Sequence, residues 1–389
     1  MAFKGDKHFA LVSSTLLLLI CLLQVLNTGE TIEALALYML MATVYVTFLL
    51  KVKECSNIFL LIVFIGVLYR LLPCLTISTT FSSDIVQYRY LGNKILNGQV
   101  PYRDFPAPYP PLSIYITVPF LMAGDLRLMK LFFVACDLLI IFSMYNLLKS
   151  QKFPLERVKL LSLVLLFFPA SLLEYSVSGH NDSFTLLLLL ISIIFLDNHP
   201  TLSSIFLSIS ICSKIFPMVA VPFILIHFLS ENRKAASRFL LTLISVLGLI
   251  SLPFIVLSSN AYFEMLLGIT RFSVPYGFFQ TLLFMLIGGP PELILVPVLI
   301  VSFSISIVIF LLIFAFSCLH AWPLEKSLGI VFAFLPFLLP QFQPWYLLWA
   351  LPFLVLYLFE NWKLTEMYLL LLLCIHALCY FNSLCISLA

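Results

Sequence analysis

Long apolar runs, hardly interrupted, dominate this chain and leave few folds open to it. They fall at roughly 9–26, 34–50, 57–73, 128–148, 160–176, 182–196, 201–213, 215–229, 239–257, 291–318, 328–340, 345–359 and 367–387. Within each run the apolar residues are continuous instead of alternating. That excludes a membrane β-barrel and predicts helices. Charged residues make up 10% of the 389, against about a quarter in a soluble domain. The expected fold class is therefore all-α: a polytopic helical membrane protein with about 13 transmembrane helices, forming one integral-membrane domain over 1–389. The net charge of +3 is too small to describe a nucleic-acid surface, and no nucleic-acid partner is expected.

The run at 9–26 follows Lys4 and Lys7 but precedes no small-residue cleavage site, so it reads as a retained first span rather than a signal peptide. Most of the nine cysteines sit inside apolar runs, where Cys behaves as a small hydrophobe, and no CxxC pair occurs. Neither a disulfide framework nor a cysteine metal site is expected.

Residues 112–123 are apolar but too short to span, follow Pro110-Pro111 and contain Pro119. They read as a helix lying in the interface. If they crossed, the basic cluster KSQKFPLERVK at 149–159 would fall outside, against the positive-inside rule. With the N-terminus inside, 13 of the 21 Lys and Arg residues lie on inner loops. The same alternation puts the polar interruptions on the outer face: the 74–127 loop with its interfacial helices, SGHND at 178–182, SKIFP at 213–217, the 258–290 loop with Arg271, and QFQPW at 341–345.

Within that outer loop, residues 81–111 concentrate Asp84, Arg89, Lys94, Arg103 and Asp104 among tyrosines 88, 90, 102 and 109, with Asp125 just downstream. Apolar residues recur at 85, 88, 91, 92 and 95, a helical spacing, with Ser82 or Ser83 to cap and Asn97-Gly98 to stop. Asp84 then sits in the first turn. It is either an acid favoured by the helix dipole or a general base at the bilayer edge. Arg103-Asp104 is either an ion pair in a stiff loop or a contact to phosphate and acceptor hydroxyls. His180 and Asp182 are either parts of a tight turn with a helix cap or hydrogen-bonding groups for a sugar or acceptor. Glu174 lies inside an apolar span, where acids are usually functional or paired. Lys214 and Arg271 are snorkelling cations or phosphate ligands. Gln341, Gln343, Trp345 and Tyr346 are an aromatic belt or a sugar-stacking platform. No metal site is expected.

Read in order, these segments resemble the GT-C superfamily of membrane glycosyltransferases that use lipid-phosphate sugar donors. The resemblance rests on the acid and aromatic loop at Asp84, YPPL at 109–112, KLFFVACDLLIIFSMYNLL at 130–148, SVSGHNDSFTLLLLL at 176–190, SKIFPMVAVPFIL at 213–225 and FQPWYLLWALPFL at 342–354. It is closest to the enzymes that add the first mannose of the GPI anchor and to their bacterial and archaeal relatives. Those GPI enzymes carry Asp-x-Asp in the first outer loop; here the positions read Asp84-Ile85-Val86, which fits relatives with a single catalytic Asp.

The resemblance implies an inverting transfer of a sugar, mannose above all, from a polyprenyl- or dolichyl-phosphate donor to a glycolipid or glycan hydroxyl. The active site would lie on the extracytoplasmic or lumenal face of a prokaryotic cell membrane or the endoplasmic reticulum. Asp84 would be the base. Tyr88, Arg103, Asp104, Tyr109, His180, Asp182, Gln343 and Trp345 would contact donor or acceptor, and Lys214 and Arg271 the phosphate. No cofactor is implied, and a divalent metal is left open. Membrane lipid and a small membrane subunit are the expected partners. A secondary transporter or lipid flippase is the competing class, since Pro217 and Pro253 break spans and Glu174 lies in one. An acyltransferase with His180 as base is a third.

Overall fold

The computed structural model describes residues 59–76, 83–266, 291–338 and 343–388. The runs at 9–26 and 34–50, Gln341 and Arg271 lie outside the described residues. The described residues are helical and contain no strand, only an isolated bridge between Pro101 and Phe105.

Proline sets many of the helix starts. Pro111–Tyr115, Pro169–Ser171 and Pro200–Ser213 each begin on one. There the missing N–H costs nothing and the fixed φ is already helical. Among the described residues, three helices are long and apolar enough to cross a membrane: Phe59–Thr76, Arg127–Ser150 and Arg233–Leu266. Leu155–Leu166 with Pro169–Val177, bent by 41°, would make a fourth. Several of the apolar runs after residue 180 fold into shorter pieces, such as Asp182–Ile194 with 13 residues and Pro200–Ser213 with 14. At 1.5 Å per residue these reach about 20 Å, short of the roughly 30 Å hydrocarbon layer. The stretch 112–123, expected to be one interfacial helix, forms two short helices, Pro111–Tyr115 and Val118–Met122.

The described residues divide into two compact units. The first holds the residues up to Gln87, Asp125–Ser183, and those from Phe359 on. Its helices Phe59–Thr76, Arg127–Ser150 and Leu155–Leu166 pack on one another. Leu155–Leu166 stops before Pro169, which lacks the N–H an α-helix would give Leu165 O, so its last carbonyls are short of donors beyond the Phe168 N–H on Leu165 O at 3.2 Å. Arg70, fully buried, supplies them. Its Nε donates to Leu166 O at 2.8 Å, and its Nη2 donates to Leu165 O at 2.7 Å and to Ser171 Oγ at 2.8 Å. Its Nη1 pairs with Asp137. One guanidinium thus caps the broken helix and fixes the start of the next turn.

The second unit holds Tyr88–Gly124 and Phe184–Leu358. Pro200–Ser213 packs along Arg233–Leu266. Hydroxyls stitch this region: Ser204 Oγ donates to Phe239 O at 2.7 Å, Ser210 Oγ to Thr185 O at 2.8 Å, and Ser113 Oγ to Ser213 O. Small hydroxyl residues let helices approach closely and satisfy their own polar atoms.

Candidate functional site

Within the first unit, polar side chains from four segments meet end to end. Asp84 lies in the first turn of the helix Ser83–Leu96. His180 lies in the turn that follows, in sequence, a π-helical segment, Leu172–Val177, which carries Glu174. His376 comes from the helix Trp362–Leu388. His180 Nδ1 is 2.9 Å from Asp84 Oδ2, and its Nε2 is 3.2 Å from Glu174 Oε2. Glu174 Oε1 lies 2.8 Å from His376 Nε2.

Gly179 makes this turn. Its φ of +71° is left-handed, and a Cβ there would stand 2.6 Å from Ile85 Cδ1 and 3.1 Å from Lys130 Cγ. The backbone therefore comes down directly on the residue after Asp84. The His180 N–H donates to Glu174 O at 3.0 Å, and Ser178 N–H to Leu173 O at 2.9 Å, closing the turn onto the π-helix.

His180 has a carboxylate at each ring nitrogen. Both nitrogens can donate at once only in the imidazolium. Burial alone would push its pKa down. The Asp84 charge and hydrogen bond, followed by those of Glu174, outweigh burial and raise it to about 9. At neutral pH the group beside Asp84 is a cation, and it holds one oxygen of that carboxylate. Exposure decides which member can meet a substrate: the Asp84 side chain is 15% exposed, His180 4%, and Glu174 and His376 not at all. Asp84 is the outward end.

The four groups are strung in a line instead of converging on a point. Among the described residues, no cluster of three or more His, Cys, Asp and Glu is placed to hold a metal ion. Asp182, fully buried, begins the helix Asp182–Ile194, and Ser183 Oγ donates to Phe133 O at 2.7 Å.

The second unit gathers the other predicted residues into separate groups. Lys214 is 5% exposed, with Nζ 5.6 Å from the Tyr346 ring centre. Phe216 packs against Tyr346 at 4.7 Å and against Trp349 at 5.6 Å. Trp345 packs edge-on against Tyr346 at 5.8 Å, and Gln343 immediately precedes this 3-10 segment, Pro344–Trp349. Tyr88 and Tyr109, both buried, lie ring to ring at 5.5 Å. The Tyr109 carbonyl accepts from Tyr102 Oη at 2.6 Å. Arg103 and Asp104 bond to each other through Nε–Oδ1 at 2.9 Å and Nη2–Oδ2 at 2.8 Å, and Asp104 also takes the Val100 N–H at 2.7 Å. These bonds, Arg103 first, hold the Asp104 carboxyl down at about 2. This is an exposed ion pair in a loop.

Sequence reasoning put the Asp84 loop and the turn carrying His180 on one outer face and singled out Glu174 by itself, but it did not pair His180 with either carboxylate, and it missed His376, Lys130, Arg70 and Asp137. The one available signal was their polarity within apolar runs.

Residues 107–339, more than half of the chain, match glycosyltransferase family 87. No curated protein and no solved structure matches it.

Proposed function

We propose that this chain, which belongs to glycosyltransferase family 87, inverts the anomeric centre of a lipid-phosphate sugar in a single displacement. The donor is a polyprenyl- or dolichyl-phosphate sugar, mannose in the first instance. The acceptor is a hydroxyl of a glycolipid or glycan at the extracytoplasmic face. The reading is that of a GT-C-like, multi-pass protein with about 13 spans. In it the short helices after residue 180 contribute to crossings together with their neighbours, and GPI-type mannosyltransferases are its relatives in mechanism.

One observation carries the mechanism: Asp84, the exposed end of the buried chain, has one oxygen held by the His180 imidazolium at 2.9 Å. That bond orients the carboxylate toward the acceptor. As the acceptor oxygen attacks, its proton passes to Asp84. The new bond to the anomeric carbon forms while the bond from that carbon to the phosphate oxygen breaks. The lipid phosphate leaves with the electron pair and, unlike a sugar alcohol, needs no acid to protonate it. Lys214, buried and set over the Tyr346 ring, is the described cation proposed for the phosphate, with Arg271 as the second. Tyr88, Tyr109, Asp182, Gln343, Trp345 and the Arg103-Asp104 pair are proposed for sugar and acceptor contacts.

Membranes carrying the full chain, supplied with radiolabelled polyprenyl-phosphate mannose and membrane lipid acceptors, test this. Wild-type chain should yield labelled glycolipid. Asp84→Asn should lower transfer about 10²–10⁴-fold while still binding donor. Transfer at the wild-type rate in that variant removes Asp84 from the chemistry. Solute uptake by vesicles with no transfer would favour a transporter.

A further inference from the structure

The chain of polar and ionic contacts does not end at the ring that Asp84 touches: the next contact, His180 Nε2 to Glu174 Oε2, is an ion pair and not a hydrogen bond. Glu174 offers one oxygen to His180 Nε2 at 3.2 Å and the other to His376 Nε2 at 2.8 Å. Both side chains are wholly shielded from solvent. Neither can reach a sugar or a lipid phosphate. A buried carboxylate and a buried histidine are costly in an apolar bundle unless they serve one another or a third group. The local fold is shaped around them. The π-helical segment Leu172–Val177 replaces ordinary helix where Glu174 sits, and π-bulges often mark functional positions. The backbone bond from His180 N–H to Glu174 O ties the imidazole-bearing and carboxylate-bearing residues together a second time.

We propose that Glu174 and His376 are positioning residues for sugar transfer: together they fix the His180 ring so that its Nδ1 faces Asp84 Oδ2 and sets the orientation of that carboxylate toward the acceptor. The inference rests on the reading of Asp84 as the base. No bond is made or broken at Glu174 or His376. Without the Glu174 carboxylate, the His180 ring loses the charge beside its Nε2. The ring can then turn, or it can lose the Nδ1 proton and present a lone pair to Asp84. Without His376, Glu174 Oε1 has lost its donor in an apolar setting and no longer holds its place.

The charged and titratable groups around His180 are Asp84 on the helix Ser83–Leu96, Glu174 on the π-helical segment, and Lys130 on Arg127–Ser150 beside Gly179. His376, Tyr175 and Asp182 surround Glu174 and its neighbour. The His180 pKa is raised, to about 9. Its charged state is therefore present below that pH and lost as pH rises through it. Taking away the Glu174 charge lowers that ceiling by about one unit or more.

The experiment uses the full chain in membranes, with polyprenyl-phosphate mannose as probe for both transfer and binding. The variants are Glu174→Gln, His376→Ala, His376→Gln and Asp84→Asn. Glu174→Gln should lower kcat at neutral pH roughly tenfold to a hundredfold, leave donor KM within about twofold, and move the alkaline limb of the rate profile down by about one unit. His376→Ala should behave alike. His376→Gln, which keeps an N–H near the old Nε2, should retain most activity. Combining Glu174→Gln with His376→Ala should cost no more than Glu174→Gln alone, since the two act as one device. Wild-type kcat and pH profile in Glu174→Gln, or a loss at every pH that only tracks the amount of folded protein, overturns the proposal. An inactive Asp84→Asn beside a fully active Glu174→Gln sinks this inference alone. An active Asp84→Asn sinks the base assignment with it.

Discussion

Gly179→Ala measures how closely the turn carrying His180 sits on the helix carrying Asp84. Two costs add. Alanine at a φ of +71° loses about 1 kcal/mol or more against glycine. Its Cβ would also stand 2.6 Å from Ile85 Cδ1, 3.2 Å from Ile85 Cγ1 and 3.1 Å from Lys130 Cγ. The first distance is far inside van der Waals contact. Ile85 is fully buried and has no open space to retreat into. Overpacking of this kind costs about 1–3 kcal/mol. The sum, about 2–4 kcal/mol, corresponds to a fall in Tm of roughly 5–15 °C for a large domain.

The steric part can be separated from the backbone part. Ile85→Val removes Cδ1, the nearest atom, and alone should cost about 0.5–1.5 kcal/mol. In the double variant the methyl added at position 179 takes up the vacated space. Thermal unfolding of the purified full chain in detergent should then show the double variant more stable than the two single losses predict, by about 1 kcal/mol or more. Because Ile85 follows Asp84 and His180 follows Gly179, the push also pulls at the 2.9 Å bond between them. Transfer activity should fall in Gly179→Ala and return in part in the double variant. Additive effects within about 0.5 kcal/mol, or a Gly179→Ala chain as stable as wild type, would refute the packing of this turn on Ile85.

Two further perturbations test the supports and the cation. Arg70→Met removes the partner of buried Asp137 and the donors to Leu165 O and Leu166 O; breaking a buried pair from one side costs about 3–5 kcal/mol. Adding Asp137→Leu should recover a large part of the lost Tm, because no uncompensated charge remains. If Lys214 stabilises a departing phosphate, Lys214→Met should lower kcat about 10²-fold, and Lys214→Arg should retain part of it in the same transfer assay. Unchanged kcat in Lys214→Met would leave this lysine only its packing over Tyr346.

The helix that carries Asp84 was legible because its signals are local. Ser82-Ser83-Asp84 can start a helix and Asn97-Gly98 can stop one, and the helix runs Ser83–Leu96 with Gly98 left-handed at φ +77°. The break near Lys214 was legible for the same reason, through Pro217. The link between Glu174 and His180 was not. Six residues apart on a regular α-helix, two side chains point about 120° away from each other and stand about 9 Å apart along the axis. Only the π-helical segment and the left-handed Gly179 return His180 to the Glu174 carboxylate. His376 was hidden in another way. In a leucine-rich helix with almost no polar face, periodicity does not say which side meets a neighbour, so a single histidine carries no direction.

Arg70, Asp137, Glu174 and His376 still share a property that the sequence displays. Each interrupts an apolar run, and burying any one of them in such surroundings requires a partner of the opposite kind. Counting such interruptions predicts that buried pairs exist; matching them needs helix adjacency, which the runs do not encode. Here adjacency divides the pairs by consequence. Arg70–Asp137 joins the broken end of Leu155–Leu166 to buried Ser171 and is a brace. Glu174–His376 is joined through His180 to Asp84, the member open to solvent, and so its loss should be read in the pH dependence of a reaction as well as in Tm.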